Sequence, residues 1–197
     1  MEQNQKSSVT PKMVVFTAPS GAGKTTLVRN LLESRPYFDF SISATTRAKR
    51  MYEQDGKDYY FLDVAEFKAK IDQNAFVEWV EVYENQYYGT LRSEIDRIWS
   101  TGKHILFDID VEGALSLKSH FGDKCLTVFV RPPSIEILIQ RLISRNTENE
   151  ASLKKRIDRV TREMTFETNF DGIIVNDDLE IAKVESIHLV ENFLKYV

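Results

Sequence analysis

The stretch from Met13 to Thr26, MVVFTAPSGAGKTT, constrains this chain more than any other. Val14, Val15 and Phe16 form a β-branched and aromatic run that predicts a buried strand. The run breaks at Ala18-Pro19-Ser20-Gly21-Ala22-Gly23, and helix-forming residues resume from Lys24 to Leu32. Strand, glycine-containing turn and helix together are the setting of a phosphate-binding loop. Such a loop wraps an anion with backbone N–H groups, and the helix N-terminus adds free donors and the positive end of its dipole. Ala18, Pro19, Ser20, Gly21, Ala22, Gly23, Lys24, Thr25 and Thr26 are therefore expected to hold nucleotide phosphates. Lys24 would reach the β- and γ-phosphates, and the Thr25 hydroxyl would hold Mg²⁺. The pattern G-x-x-x-x-G-K-[ST] is met except at its first position, which is Ala18. Alanine is the smallest residue with a Cβ, so close backbone approach survives unless the position needs φ > 0. An ordinary strand-to-helix turn that happens to carry a lysine is the alternative, and the flanking strand and helix weigh against it.

A chain of 197 residues fits one domain and can bury a substantial core. A formal charge of −4 argues against general nucleic-acid binding, although a local basic pocket for a small anion is compatible with it. Cys125 is the only cysteine, so no intrachain disulfide can form, and its place in CLTVFV reads as a buried small hydrophobe. His104, His120 and His188 are scattered without metal-ligand spacing, so no structural zinc is expected. The polar residues 1–12 lack an apolar core of the signal-peptide kind and read as a flexible tail. No segment approaches membrane-span length, and the expected location is the cytoplasm.

Strands are predicted at Met13, His104, Cys125 and Gly172, each followed by a helix. This alternation predicts an α/β fold with a parallel sheet flanked by helices. The stretch between Ser43 and Thr90 breaks the alternation and reads as an inserted lobe. Within it, Asp63 caps a helix over VAEFKAKID, AFVEWVEV is a strand, and QYYGT is its hairpin return. A further strand is read at Phe40–Ala44. The C-terminal helix is expected to turn Ile181, Val184, Ile187 and Leu194 inward.

Asp108 and Asp110 close the strand HILFDID, and alternation puts both on one face at its carboxyl end, where ligands of α/β sheets gather. A carboxylate there can hold Mg²⁺ directly or through water; the plainer role for Asp110 is to cap the next helix. Arg47 and Arg50, near Tyr59 and Tyr60, suit a phosphate-bearing acceptor, since guanidinium forks bind phosphate bidentately. In AFVEWVEV, alternation places Glu78 with Phe76, Val80 and Val82 on one apolar face, and a carboxylate there is costly without a partner. That partner is either a core arginine or the donors of a ligand. Arg131, Arg141, Arg145, Arg156, Arg159 and Arg162 crowd the later helices around SRNTENEAS and resemble a lid that supplies cationic charge.

In order behind the phosphate loop stand SISATTRAKR, DGKDYYF, VEW, YYGT, DIDVEG, RPPS, RNTE and IVNDD. This series resembles the guanylate kinase family from about Met13 to the C-terminus. The resemblance implies ATP-dependent, Mg²⁺-assisted phosphorylation of GMP, and of dGMP, to the diphosphate. It implies a core (about 13–42, 91–140 and 166–197), a GMP-binding lobe (about 43–90) and a helical lid (about 141–165). Arg47, Arg50, Tyr59 and Tyr88 would bind the GMP phosphate, and Glu78 would accept the N1 and N2 hydrogens of guanine, with Ser43 and Thr90 near its O6 edge. Asp108 and Asp110 would lie by GMP and the metal, with Thr25 and Asp108 as metal ligands. Arg145 and Arg156 would contact ATP phosphates, making them catalytic with Lys24 and Arg47, and Asn176 would lie near adenine. The expected state is a monomer or homodimer without nucleic-acid or membrane partners. Besides Ala18, two features depart from the pattern: Tyr52 stands where glycine is common, and the loop between Glu78 and Tyr88 is one residue longer. A non-catalytic, peptide-binding module of this type and a kinase for another nucleoside monophosphate are the competing readings.

Overall fold

The computed structural model describes residues 10–144 and 150–195; the side chains of residues 141, 142, 144 and 150–156 lie outside the description. The apolar run at the start forms β1 (Met13–Thr17), buried at every position. Its neighbours are β7 (His104–Asp108) and β8 (Cys125–Arg131), both parallel to it. The outer strands β2 (Phe38–Phe40) and β9 (Gly172–Val175) complete a five-stranded sheet of order β2-β7-β1-β8-β9, parallel throughout. A central strand buried on both faces needs apolar residues at odd and even positions alike. Val14 and Phe16 pack beneath α1 (Lys24–Ser34) and α7 (Leu179–Lys195), while Met13 and Val15 pack with α3 (Arg92–Trp99) and α4 (Val111–Phe121).

The stretch that breaks the alternation forms a second sheet of order β4-β3-β6-β5, from β3 (Ala44–Thr45), β4 (Tyr60–Phe61), β5 (Phe76–Tyr83) and β6 (Gln86–Leu91). It carries its own small core, in which Phe67 of α2 (Val64–Asp72) stacks on Phe76 at 4.3 Å and on Tyr87 at 5.4 Å. The α2 start is a full capping box: the Asp63 carboxylate accepts from the Glu66 N–H and Glu66 accepts from the Asp63 N–H. Two further helices, α5 (Ile135–Ser144) and α6 (Glu150–Met164), precede β9.

Four details differ from the sequence reading. The strand expected over Phe40–Ala44 is split, since β2 stops at Phe40 and β3 starts at Ala44 in the other sheet. Lys12, in the expected tail, is buried: its N–H donates to His104 Nδ1 at 2.9 Å and its ammonium to the Phe193 carbonyl at 2.8 Å. In α7, Ile181 and Val184 are 58% and 53% exposed, and the inward stripe is Ala182, Ser186 and Val190, with Ile187, Leu189, Phe193 and Leu194 against the core. Small residues let that helix approach the sheet, so the largest apolar side chains misplace its phase. In β5, an irregular register between Phe76 and Glu78 breaks the alternation. Phe76 and Trp79 both crowd Gly89, so Glu78 does not share a face with Phe76.

Candidate active site

The phosphate loop runs from Ala18 to Gly23, between the carboxyl end of β1 and α1. Gly21 and Gly23 take φ of 92° and 93°, in the left-handed region where a Cβ is strained. Among the described non-glycine residues only Asn74 and Asn85 have positive φ, so Ala18 needs no glycine and its departure from the pattern carries no strain. The Ala22 N–H donates to the Pro19 carbonyl and the Thr26 N–H to the Gly23 carbonyl, both at 3.1 Å. Helix α1 begins with no capping side chain and no acidic residue in its first turn, which leaves its dipole end open to an anion. Buried Asn176, just past β9, donates from Nδ2 to the Ala22 carbonyl at 2.7 Å and so holds the loop from behind. Ser20 is exposed at the crest of the loop.

Asp108, the last residue of β7, faces this loop because β7 and β1 run parallel and in register. Lys24 Nζ lies 2.7 Å from Asp108 Oδ1 and donates to the Ile109 carbonyl at 2.6 Å, while the Thr25 hydroxyl donates to Asp108 Oδ2 at 2.6 Å. Asp110 lies beyond the strand end. It caps α4, accepting from the Gly113 N–H at 2.8 Å, so the strand alternation that set it beside Asp108 does not extend to it. The capping role therefore holds, and the other Asp110 oxygen faces Arg159.

Across the cleft, the inserted lobe gathers Arg47, Arg50, Tyr59 and Tyr88. The Arg47 guanidinium lies 5.3 Å from the Tyr59 ring centroid, and the two tyrosine rings meet edge to face at 6.1 Å. Glu53, which the sequence reading did not single out, is the residue that orders them. It accepts from both terminal nitrogens of Arg47, at 3.0 and 2.7 Å, and from the Arg50 N–H at 2.8 Å. Those bonds hold Glu53 below the usual carboxylate range and raise Arg47. Arg50 donates to the Tyr52 hydroxyl at 3.2 Å, so the tyrosine read as a departure from the family pattern is engaged with one of the two arginines.

Glu78 is 6% exposed, and none of the described arginines pairs with it. Its Oε1 accepts from the Thr90 hydroxyl at 2.6 Å, directly across the β5–β6 ladder. Burial pushes the Glu78 carboxyl up to about 7. Its other oxygen points toward Gly113, where a methyl group would lie at 2.8 Å. Ser43 is half-buried, and its carbonyl accepts from the Tyr60 N–H at 2.9 Å. Buried Glu94 ties this lobe to the core by accepting from the Ile42 N–H at 2.9 Å and the Tyr60 hydroxyl at 3.0 Å. It also accepts from Arg97, three residues on, at 3.0 and 2.8 Å, so a local ion pair and two partners remote in sequence share this carboxylate. Arg145 lies outside the described residues. Arg156 belongs to α6, and its side chain lies outside them too.

A glycine loop on a parallel sheet, with a lysine and a threonine on one carboxylate, and an inserted lobe that carries an arginine–tyrosine cluster define a P-loop protein. The guanylate kinase family model matches residues 10–195. The guanylate kinase of Salinibacter ruber is 50% identical over 182 residues, spanning 92% of this chain and 96% of that protein. That of Bacteroides thetaiotaomicron is 43% identical over 186 residues, 94% of this chain and 91% of its own length. The crystal structure of guanylate kinase from Anaplasma phagocytophilum superposes with a TM-score of 0.73 at 27% identity, covering 93% of this chain and 86% of that one. The chain belongs to the guanylate kinase family. No helix among the described residues is long and apolar enough to cross a membrane.

Proposed function

We propose that this protein transfers the γ-phosphoryl group of ATP to GMP, and to dGMP, in the cytoplasm. The observation that carries the reading is Glu78: a buried carboxylate of the inserted lobe, bonded only to Thr90 among the described side chains. Guanine offers N1 and N2 hydrogens to such a group, whereas adenine would leave it unpaired. Sites that reject a near-isostere by a missing hydrogen-bond partner do so by large factors. Ser43 and Thr90 stand at the O6 edge, and Asp108 and Asp110 complete the acceptor side.

The acceptor needs no protein base. A phosphate monoester has a second pKa of about 6 and is largely dianionic at neutral pH. The protein's task is to align two polyanions and offset their charge. Arg47, held by Glu53, grips the acceptor phosphate with Arg50, Tyr59 and Tyr88. Lys24 turns from Asp108 to the β- and γ-phosphates, which the loop and the N-terminus of α1 cradle. Arg145 and Arg156 add charge from the lid, and Asn176 fixes the loop beside the adenine. The residues present fit Mg²⁺: Thr25 and Asp108 bring two hard oxygen donors together, and this ion takes one or two such ligands along with phosphates and water. Held by Thr25 and Asp108, it would supply positive charge that offsets the charge of the phosphates. The proposed assembly is a monomer or a homodimer.

The test is ADP formation from ATP and Mg²⁺ with GMP, AMP, UMP or dTMP, for wild type and Glu78→Gln. Turnover with GMP alone, and a loss of about 100-fold or more in the variant, is the expected result. Faster turnover with another monophosphate would overturn the guanine assignment. A folded protein inactive with every acceptor would favour a peptide-binding module.

A further inference from the structure

Glu163 of α6 is a carboxylate only 8% exposed, and so enclosed a charge needs a partner. Arg159, one turn earlier on the same helix, donates from Nε to Glu163 Oε1 at 2.6 Å. The same guanidinium carries a terminal nitrogen to 3.7 Å from Asp110 Oδ2, and its carbon stands 5.9 Å from the Tyr83 ring centroid. These three neighbours belong to three parts of the molecule. Glu163 lies on α6, within the segment read as a lid. Asp110 caps α4, whose Gly113 faces Glu78. Tyr83 ends β5, the strand that carries Glu78. The guanidinium lines a cavity of about 330 Å³ between β5, α4 and α6. A second tie, from Arg162 to Glu112 at 2.7 Å, is 69% and 52% exposed and contributes little.

The charge distribution explains why an arginine stands there. Glu78, Asp110 and Glu163 bring three carboxyl groups near one another; burial, and then Asp110, disfavours ionisation of Glu78, and burial disfavours that of Glu163, which Arg159 opposes. Arg159 is the cation whose own contacts reach two of the three. A planar fork can point Nε at one carboxylate and a terminal nitrogen at another while its face rests on a ring, which a lysine ammonium cannot reproduce.

We propose that Arg159 is a positioning residue for the acceptor nucleotide: it acts through Asp110, fixing that carboxylate beside the guanine pocket, and it seats α6 against Tyr83 of the acceptor lobe. This rests on the reading of GMP as acceptor. Arg159 itself need not touch either substrate.

The experiment compares wild type, Arg159→Met, Arg159→Lys, Asp110→Asn, the Arg159→Met/Asp110→Asn pair and Arg159→Met/Glu163→Gln, by steady-state kinetics with each substrate varied and by thermal melting. Arg159→Met is expected to raise KM for GMP about tenfold and KM for ATP less than about twofold, with lysine restoring only part of the loss. In the Asp110→Asn background the same substitution should add less than about twofold, because residues acting through one contact are not additive. Arg159→Met/Glu163→Gln, which leaves no unpaired carboxylate and keeps the comparison available if the single variant unfolds, should retain the raised KM for GMP. Recovery of wild-type KM in that pair would overturn the proposal, since Arg159 would then serve Glu163 alone. Additive effects with Asp110→Asn, or equal effects on ATP and GMP, would overturn it as well. Failure of the wild type itself to use GMP would overturn the acceptor reading, and this proposal with it.

Discussion

Replacing Gly113 by alanine separates stability from recognition in this fold. Gly113 lies in the first turn of α4, and a Cβ there would stand 2.8 Å from Glu78 Oε2, 3.2 Å from Glu78 Cδ and 3.3 Å from Asp110 Oδ1. In an open helix the change would gain about 0.8–1 kcal/mol. Here the methyl group meets the far end of a flexible side chain, so the fold accommodates it by turning the Glu78 carboxylate aside. The cost is its bond from Thr90, and a hydrogen bond to a charged group contributes about 1.5–3 kcal/mol. The net loss is about 0.5–2 kcal/mol, or a fall in Tm of roughly 1–8 °C. Recognition should suffer far more, because a displaced carboxylate leaves guanine's donors unpaired: kcat/KM for GMP should drop about 100-fold or more while KM for ATP holds. Coupled-assay kinetics with each substrate varied, alongside a melting curve, give both numbers from one preparation. A kcat/KM for GMP within about threefold of wild type would refute the reasoning that Glu78 reads guanine from this position.

Three further outcomes follow, two from Glu78 and one from Asn176. Burial raises Glu78 to about 7, so the folded protein binds this proton more tightly than the unfolded chain does. Its contribution to stability is fully present below the unfolded value of 4.5 and is lost as pH rises through about 7. Wild type should therefore lose unfolding free energy relative to Glu78→Gln across that window, as measured by denaturant titration at several pH values; parallel curves would contradict it. Guanine's donors call for the carboxylate, so calorimetry near pH 6 in buffers of different ionisation enthalpy should show extra proton release on GMP binding in wild type only. Asn176→Ala removes the bond that holds the Ala22 carbonyl and leaves that acceptor unpaired, a loss of about 1–3 kcal/mol. KM for ATP should rise about tenfold, with KM for GMP changed less than about twofold; an equal effect on both would refute the loop-holding role.

Much of the site was legible locally. Lys24 and Thr25 follow a glycine turn between a strand and a helix, and Asp108 ends an apolar strand, so short windows of sequence carry them. Glu78 was legible as an anomaly, a carboxylate in an apolar strand, but its face was not. The irregularity after Phe76 changes which side chains share a surface, and no periodicity reveals a break in periodicity. The phase of α7 was misjudged for a related reason: Ala182 and Ser186 mark the inward side by their smallness, while Ile181 and Val184 remain exposed. Glu53 and Glu94 escaped notice because their roles lie in contacts within the lobe and between lobe and core, and Arg159 was legible only as one of six arginines around the lid. Charged residues in polar stretches look alike until the fold chooses their partners.

The position of β1 has a consequence for how the chain is made. Synthesis delivers the centre of the sheet first and the two strands that flank it only much later. Lys12, the residue before β1, bonds His104, 92 positions later, and β8 follows β7. At about 5–20 residues per second, an emerging chain spends on the order of 5–20 s with MVVFT unpaired on both edges. The inserted lobe, whose four strands and single helix lie between these partners, is complete in sequence by Leu91 and has a core of its own. During translation, the part of the molecule that reads the acceptor can take shape before the sheet that holds the donor exists.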